Sequence, residues 1–116
     1  MAKEFFSTGG SHNTISFGTV IKGDISADAD LRIDGEITGN VMCNGKVVVG
    51  PKAIITGEIT AESAELMGII TGNIRVKDTL SIKATAQIRG DVEMHTLSVE
   101  PHAVLTGHCM MIEKQV

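Results

Sequence analysis

Apolar and polar residues alternate along most of this chain, and glycine interrupts the alternation at near-regular distances. Six units share one form: Ile21-Lys22-Gly23-Asp24-Ile25, Ile37-Thr38-Gly39-Asn40-Val41, Ile55-Thr56-Gly57-Glu58-Ile59, Ile70-Thr71-Gly72-Asn73-Ile74, Ile88-Arg89-Gly90-Asp91-Val92 and Leu105-Thr106-Gly107-His108-Cys109. With glycine as position zero, positions −2, +2 and +4 are apolar in every unit, the last being Ala27, Cys43, Ala61, Val76, Met94 and Met111. Positions −1 and +1 are mostly Thr, Lys, Arg, Asp, Asn and Glu. A period of two sends successive side chains to opposite faces, so each unit predicts strands with one face inward. A second apolar pair follows each of the first five units: Leu31/Ile33, Val47/Val49, Ala64/Leu66, Leu80/Ile82 and Leu97/Val99. Turn residues such as Asp34-Gly35, Asn44-Gly45, Gly50-Pro51 and Glu100-Pro101 separate the runs. No window keeps the i, i+3, i+4, i+7 spacing of a helix over three turns.

Successive glycines of the six units are 16, 18, 15, 18 and 17 residues apart. A repeat this short cannot bury its own apolar face and must stack on copies of itself. The predicted fold is all-β: a single-stranded, right-handed parallel β-helix of about six rungs over residues 15–112. Short disordered tails are expected at 1–14 and 113–116. The right hand follows from the handedness of parallel β connections. Rungs about 4.8 Å apart would span roughly 29 Å. The rung glycines Gly23, Gly39, Gly57, Gly72, Gly90 and Gly107 are expected to point inward, where the coil is narrow or opposite walls approach. Outside, position −1 stacks Lys22, Thr38, Thr56, Thr71, Arg89 and Thr106, and position +1 stacks Asp24, Asn40, Glu58, Asn73, Asp91 and His108. Both read as solvated ladders, with Asn diluting like-charge repulsion in the second. Position −3 holds Val20, Ile54, Ile69 and Val104, either tucked into a corner or forming a small lateral contact patch.

Composition narrows the function. With 116 residues the chain makes one domain at most. A net charge of −4 without a basic run argues against nucleic acid and against purely electrostatic membrane binding. The three aromatics, Phe5, Phe6 and Phe17, all precede the repeats, so aliphatics must fill the core. Cys43 and Cys109 share the inward phase four rungs apart, about 19 Å, which predicts buried reduced thiols and no disulfide. No apolar run is long enough for a signal-peptide core or a membrane span, so a cytoplasmic location is the default. His95, His102 and His108 fall on different phases, which predicts no metal site. No catalytic triad spacing or phosphate-binding loop is present, so no cofactor is expected.

The ordered set of units resembles the bactofilins, a bacterial family of polymer-forming cytoskeletal proteins. The resemblance rests on the repeated Gly-Asp/Glu/Asn-Ile/Val unit, on the run from Ile21 to Val41 with Leu31-Arg32-Ile33-Asp34-Gly35, and on Leu80-Ser81-Ile82-Lys83-Ala84-Thr85-Ala86-Gln87-Ile88-Arg89-Gly90-Asp91-Val92. It covers about residues 15–112. It implies a right-handed β-helix core between short tails and assembly into filaments without nucleotide. It also implies membrane binding through the N-terminal tail, hence a place at the inner face of the cytoplasmic membrane, and scaffolding of cell-wall enzymes and shape-determining factors.

A solenoid exposes unpaired strand groups and a slice of core at each end. Here the inward phase persists to both ends, through Ile15, Phe17 and Ile21 at one and Leu105, Cys109 and Met111 at the other. Phe17, Ile21, Leu105, Cys109 and Met111 are therefore the candidate polymer interface. Alternating N-end to N-end and C-end to C-end contacts would give an open filament without polarity. The alternative is a frayed end covered by its own tail. Within the N-terminal tail, Lys3, Phe5 and Phe6 are candidates for bilayer contact, multiplied along a polymer by avidity. The same tail could instead be disordered, or could pack both phenylalanines on the first rung.

Two other readings compete. A left-handed hexapeptide-repeat enzyme, such as an acyltransferase or a carbonic anhydrase, prefers strict six-residue units, and intervals of 15 to 18 do not keep that frame. An ice-binding solenoid needs flat Thr-x-Thr ranks, whereas Lys22 and Arg89 interrupt a single Thr column. The chain is read as a non-enzymatic scaffold.

Overall fold

Strands of three or four residues cannot stand alone, and each survives by lying on the equivalent strand of the next turn. The computed structural model describes residues 12–113, which form six rungs of three strands. The first rung is β1 (His12–Ile15), β2 (Val20–Lys22) and β3 (Ile25–Ala27), and the second β4 (Asp30–Ile33), β5 (Glu36–Thr38) and β6 (Val41–Cys43). The third is β7 (Lys46–Val49), β8 (Ile54–Thr56) and β9 (Ile59–Ala61), and the fourth β10 (Ser63–Leu66), β11 (Ile69–Thr71) and β12 (Ile74–Val76). The fifth is β13 (Thr79–Ile82), β14 (Gln87–Arg89) and β15 (Val92–Met94), and the sixth β16 (Thr96–Val99), β17 (Val104–Thr106) and β18 (Cys109–Met111). Like stacks on like in three six-stranded parallel sheets, led by β1, β2 and β3.

The register carries the inward columns straight through the molecule. Ile37, Ile55, Ile70 and Ile88 are consecutive Cα partners in the second sheet, and all are buried. Ile33, Val49, Leu66 and Ile82 form a matching column in the first. Among the described residues no polar or charged side chain is buried. The core is thus a dry aliphatic rod held by van der Waals contact and apolar burial.

Corner length accounts for the unequal glycine spacing. The corner between the second and third strands always holds two residues; the corner leading to the next rung holds one or two. The corner between the first and second strands holds two or four. Its four-residue versions close as β-turns, with the amide of Thr19 donating to the Ser16 carbonyl at 3.1 Å and that of Ala103 to Glu100 at 3.3 Å. Variation confined to corners leaves the strand register untouched.

The rung glycines sit at a corner, and the reason for them differs from the expected narrowing of the coil. Their φ angles run from 139° to 150°, a region open chiefly to glycine. They also stack backbone on backbone: a Cβ on Gly57 would overlap the carbonyl oxygen of Gly39, and one on Gly90 that of Gly72. The fold also starts earlier than the boundary at residue 15. Residues 12–14, expected in the tail, pair with Asp30, Leu31 and Arg32 in strand β1.

Candidate functional site: the two open ends

The inward phase of the coil is intact at the last rung, but nothing described lies on top of it. Met111 is 62% exposed, whereas Met94, its partner one rung below, is 0% exposed. Cys109 is exposed for the same reason, above the fully buried Val92, so the expectation of two buried thiols holds for Cys43 alone. The Cys109 Sγ still turns toward the core, 3.8 Å from Met94 Sδ. Leu105 is half-buried over Ile88. Backbone groups are cut off with the side chains. In the fifth rung the amides of Gly90 and Val92 donate to the carbonyls of Thr106 and His108 at 2.9 and 2.8 Å. Their equivalents in the sixth, Gly107 and Cys109, have no described strand to receive them.

Among the described residues nothing covers the N-terminal end either. Ile15, Ile21, Ile25 and Ala27 pack on the core from one side only and remain partly exposed, above buried Ile33, Ile37, Val41 and Cys43. Asn13 takes the place in register with Leu31, the one polar residue on that phase. Phe17 departs from its expected position. It lies in the turn between β1 and β2, 69% exposed, with Lys52 Nζ 5.1 Å from its ring centroid. It is a rim residue beside the N-terminal end, off the inward phase. Lys3, Phe5 and Phe6 lie outside the described residues.

The +1 column does more than face solvent. Its side chains reach the next rung: the Asn40 amide donates to Asp24 Oδ1 at 2.9 Å, Glu58 to Asn40 Oδ1 at 3.1 Å, Asp91 to Asn73 Oδ1 at 3.1 Å and His108 to Asp91 Oδ1 at 3.2 Å. Asn and Asp share the short side chain that this reach requires, and their recurrence after glycine is the signal in the sequence. The ladder ends on His108, whose ring Nδ1 is also 3.2 Å from Asp91 Oδ1. The backbone amide of His108, and then its ring, hold the Asp91 carboxyl below the usual carboxylate range.

The structure resolves the −3 column as outward. Ile54 and Ile69 are 41% and 42% exposed and lie in register on β8 and β11, with Val20 and Val104 exposed at the two ends of the same sheet. The lateral patch, not the tucked corner, is what forms. His95 takes the corner leading from the fifth rung to the sixth, and His102 and His108 take the two corners within the sixth. Among the described residues no three His, Cys, Asp or Glu side chains converge as a metal site would need, and no helix is long and apolar enough to cross a membrane.

A coil of stacked parallel strands around a continuous aliphatic core, with no cap on either end among the described residues, belongs to the class of β-solenoids. Residues 13–110 match the family described as "Bactofilin: Polymer-forming cytoskeletal", and the chain belongs to that family. It is 27% identical over 105 residues to the bactofilin BacO of Myxococcus xanthus (strain DK1622), covering 90% of this chain and 83% of that one. It is 22% identical over 111 residues to BacP of the same organism, covering 95% of this chain and only 46% of the relative. Among solved structures it resembles the bactofilin of Thermus thermophilus. A reconstruction of that protein's double helical filaments gives a TM-score of 0.77 at 28% identity, covering 82% of this chain and 96% of the other. A crystal structure of a point mutant of it gives 0.74 at 25%, covering 78% and 100%.

Proposed function

We propose that this chain is a nucleotide-independent cytoskeletal scaffold that polymerises through its two ends. The observation that carries the reading is the contrast between Met111 and Met94, equivalent in phase and opposite in exposure. A second subunit laid on the C-terminal end would cover Leu105, Cys109 and Met111 and receive the free edge of β16, β17 and β18. A second contact at the other end would cover Ile21, with Phe17 at its rim. Each contact joins like end to like end, and their alternation propagates without closing. Apolar burial and strand pairing supply the drive, so no hydrolysis step is required. Membership of a polymer-forming family and the filaments of the Thermus relative support self-assembly. The filament lies on the inner face of the cytoplasmic membrane, held by Lys3, Phe5 and Phe6, and organises cell-wall and cell-shape machinery there.

The test is a pair of end-blocking substitutions in nucleotide-free buffer. Wild type forms filaments by negative-stain electron microscopy. Met111→Lys buries an unpaired charge at one contact, costing about 3 kcal/mol, or roughly a hundredfold in affinity. It leaves dimers joined at the N-terminal end. Ile21→Lys leaves dimers joined at the C-terminal end, and the double variant is a monomer with an unchanged far-UV spectrum. Monomers from each single variant would mean a polar, head-to-tail polymer and would overturn the like-to-like arrangement.

A further inference from the structure

Two adjacent methionines at the C-terminal end are equally open to solvent and face opposite ways. Met111 is 62% exposed and Met110 60% exposed. Met111 is in register with the fully buried Met94, which puts it on the inward phase. Met110 is in register with Glu93 on the outer face of the third sheet, where Met42 is exposed as well. The thioether is the same soft, oxidisable group at each position. What differs is what each side chain meets when a second subunit arrives. The inward residues packed at the N-terminal end are Ile15, Ile21, Ile25 and Ala27, none of which carries sulfur. Of the two end contacts, therefore, only the C-terminal one has an oxidisable group in its apolar layer. Cys109 shares that layer, with its Sγ 3.8 Å from Met94 Sδ.

We infer that Met111 is a modification site at which a peroxide closes the C-terminal contact and leaves the N-terminal contact untouched. The Met111 sulfur attacks one peroxide oxygen, and an S–O bond forms as the O–O bond breaks. The second oxygen leaves as hydroxide and takes up a proton to give water. Sulfur loses two electrons and the peroxide gains them. The product is a sulfoxide, a polar acceptor on a side chain that was apolar. At the C-terminal contact its oxygen must enter an aliphatic layer and give up water, which weakens the contact roughly ten- to a hundredfold. The same reaction at Met110 or Met42 leaves the oxygen in solvent and the contact unchanged. Assembly protects the site in turn, because a covered Met111 is out of reach. The reaction therefore acts on free subunits and filament ends, and limits growth without dissolving filaments. Enzymatic reduction of the sulfoxide reverses it. The inference rests on the end-to-end reading, whose C-terminal contact it regulates.

The experiment uses variants that isolate one contact each. Ile21→Lys dimerises through the C-terminal end and Met111→Lys through the N-terminal end. These two, with Ile21→Lys/Met111→Leu and Ile21→Lys/Met110→Leu, are diluted until the dimers dissociate and treated with hydrogen peroxide. Peptide mass spectrometry reports which methionine gained oxygen, and sedimentation gives the dimer dissociation constant. For Ile21→Lys the constant rises roughly ten- to a hundredfold, and methionine sulfoxide reductase restores it where a thiol reductant alone does not. Ile21→Lys/Met110→Leu responds in the same way. Met111→Lys keeps its constant, and so does Ile21→Lys/Met111→Leu, which has an apolar side chain without sulfur at the contact. An unchanged constant for Ile21→Lys with Met111 oxidised would overturn the inference and leave end-to-end assembly standing. An equal rise in the Met111→Leu variant, or recovery with the thiol reductant alone, would assign the effect to the Cys109 thiol and likewise overturn it. Monomeric Ile21→Lys before any peroxide is added would instead overturn the like-to-like end contacts on which the inference rests.

Discussion

Gly23 and Gly72 occupy the same corner of the coil but not the same surroundings. Both have φ near 140°, at 139° and 141°. A Cβ on Gly72 would overlap the carbonyl oxygen of Gly57, whereas one on Gly23 would meet nothing within 4 Å, because no described rung lies beneath it. Backbone strain and steric stacking can therefore be separated by experiment. In an end-blocked background, Gly23→Ala should cost about 1–3 kcal/mol in urea unfolding, the strain alone. Gly72→Ala should cost about 1–3 kcal/mol more, because two backbones must part. Equal losses would show that the stacked carbonyls do not matter. The glycine repeat was plain in the sequence, and so was its use in counting rungs. Its cause was not, because a period-two reading assigns every second residue to the inside and has no place for a corner.

At the scale of strands and corners, the chain keeps its columns aligned while corner length varies, so inward residues were legible and corner residues were not. Phe17 shows the difference: counting by twos from Ile15 places it inside, but the chain has already left the strand and turned. Residues 12–14 were missed because Asn13 interrupts the apolar phase that identified every other member of that sheet. The side-chain ladder at the second corner escaped for a related reason, since its bonds run to backbone amides that no residue pattern displays. Its last step is testable. The Asp91 carboxyl titrates lower in the folded protein than its usual value near 3.9. Its stabilising contribution is therefore complete above that value and is lost as pH falls through the lowered one. Asp91→Asn keeps an acceptor for the His108 amide and removes the titration, as Asn73 already does for Asp91. The melting temperature of Asp91→Asn should fall less than that of wild type between about pH 5 and about pH 3. Asp91→Ala should speed exchange of the His108 amide at neutral pH, where Asp91→Asn does not. Equal exchange in both would remove the ladder from the list of what holds the last rung.

For the molecule as a whole, the same economy that builds the rod leaves its exposed core at its boundaries. A core of interchangeable aliphatic layers has no intrinsic length, and only what covers the last layer can stop it. No polar cap covers Met111 among the described residues, and on the reading proposed above the rod ends where a second rod fits. That bears on how a tail with two phenylalanines and one lysine could hold a membrane. Burying two such side chains gives about 3–6 kcal/mol per subunit, a millimolar attachment in the middle of that range and tens of micromolar at best. A filament presents many copies at once and turns weak attachment into stable attachment without new contacts. Membrane binding should therefore depend on polymerisation as strongly as on the tail. Removing residues 1–11, which leaves β1 whole, should preserve filaments and abolish co-sedimentation with liposomes. Met111→Lys, with its tail intact, should lose most of that co-sedimentation too, although it keeps every residue proposed to touch lipid. Full binding by the Met111→Lys dimer would show that each tail suffices alone, and binding by filaments without residues 1–11 would move the membrane contact onto the rod itself.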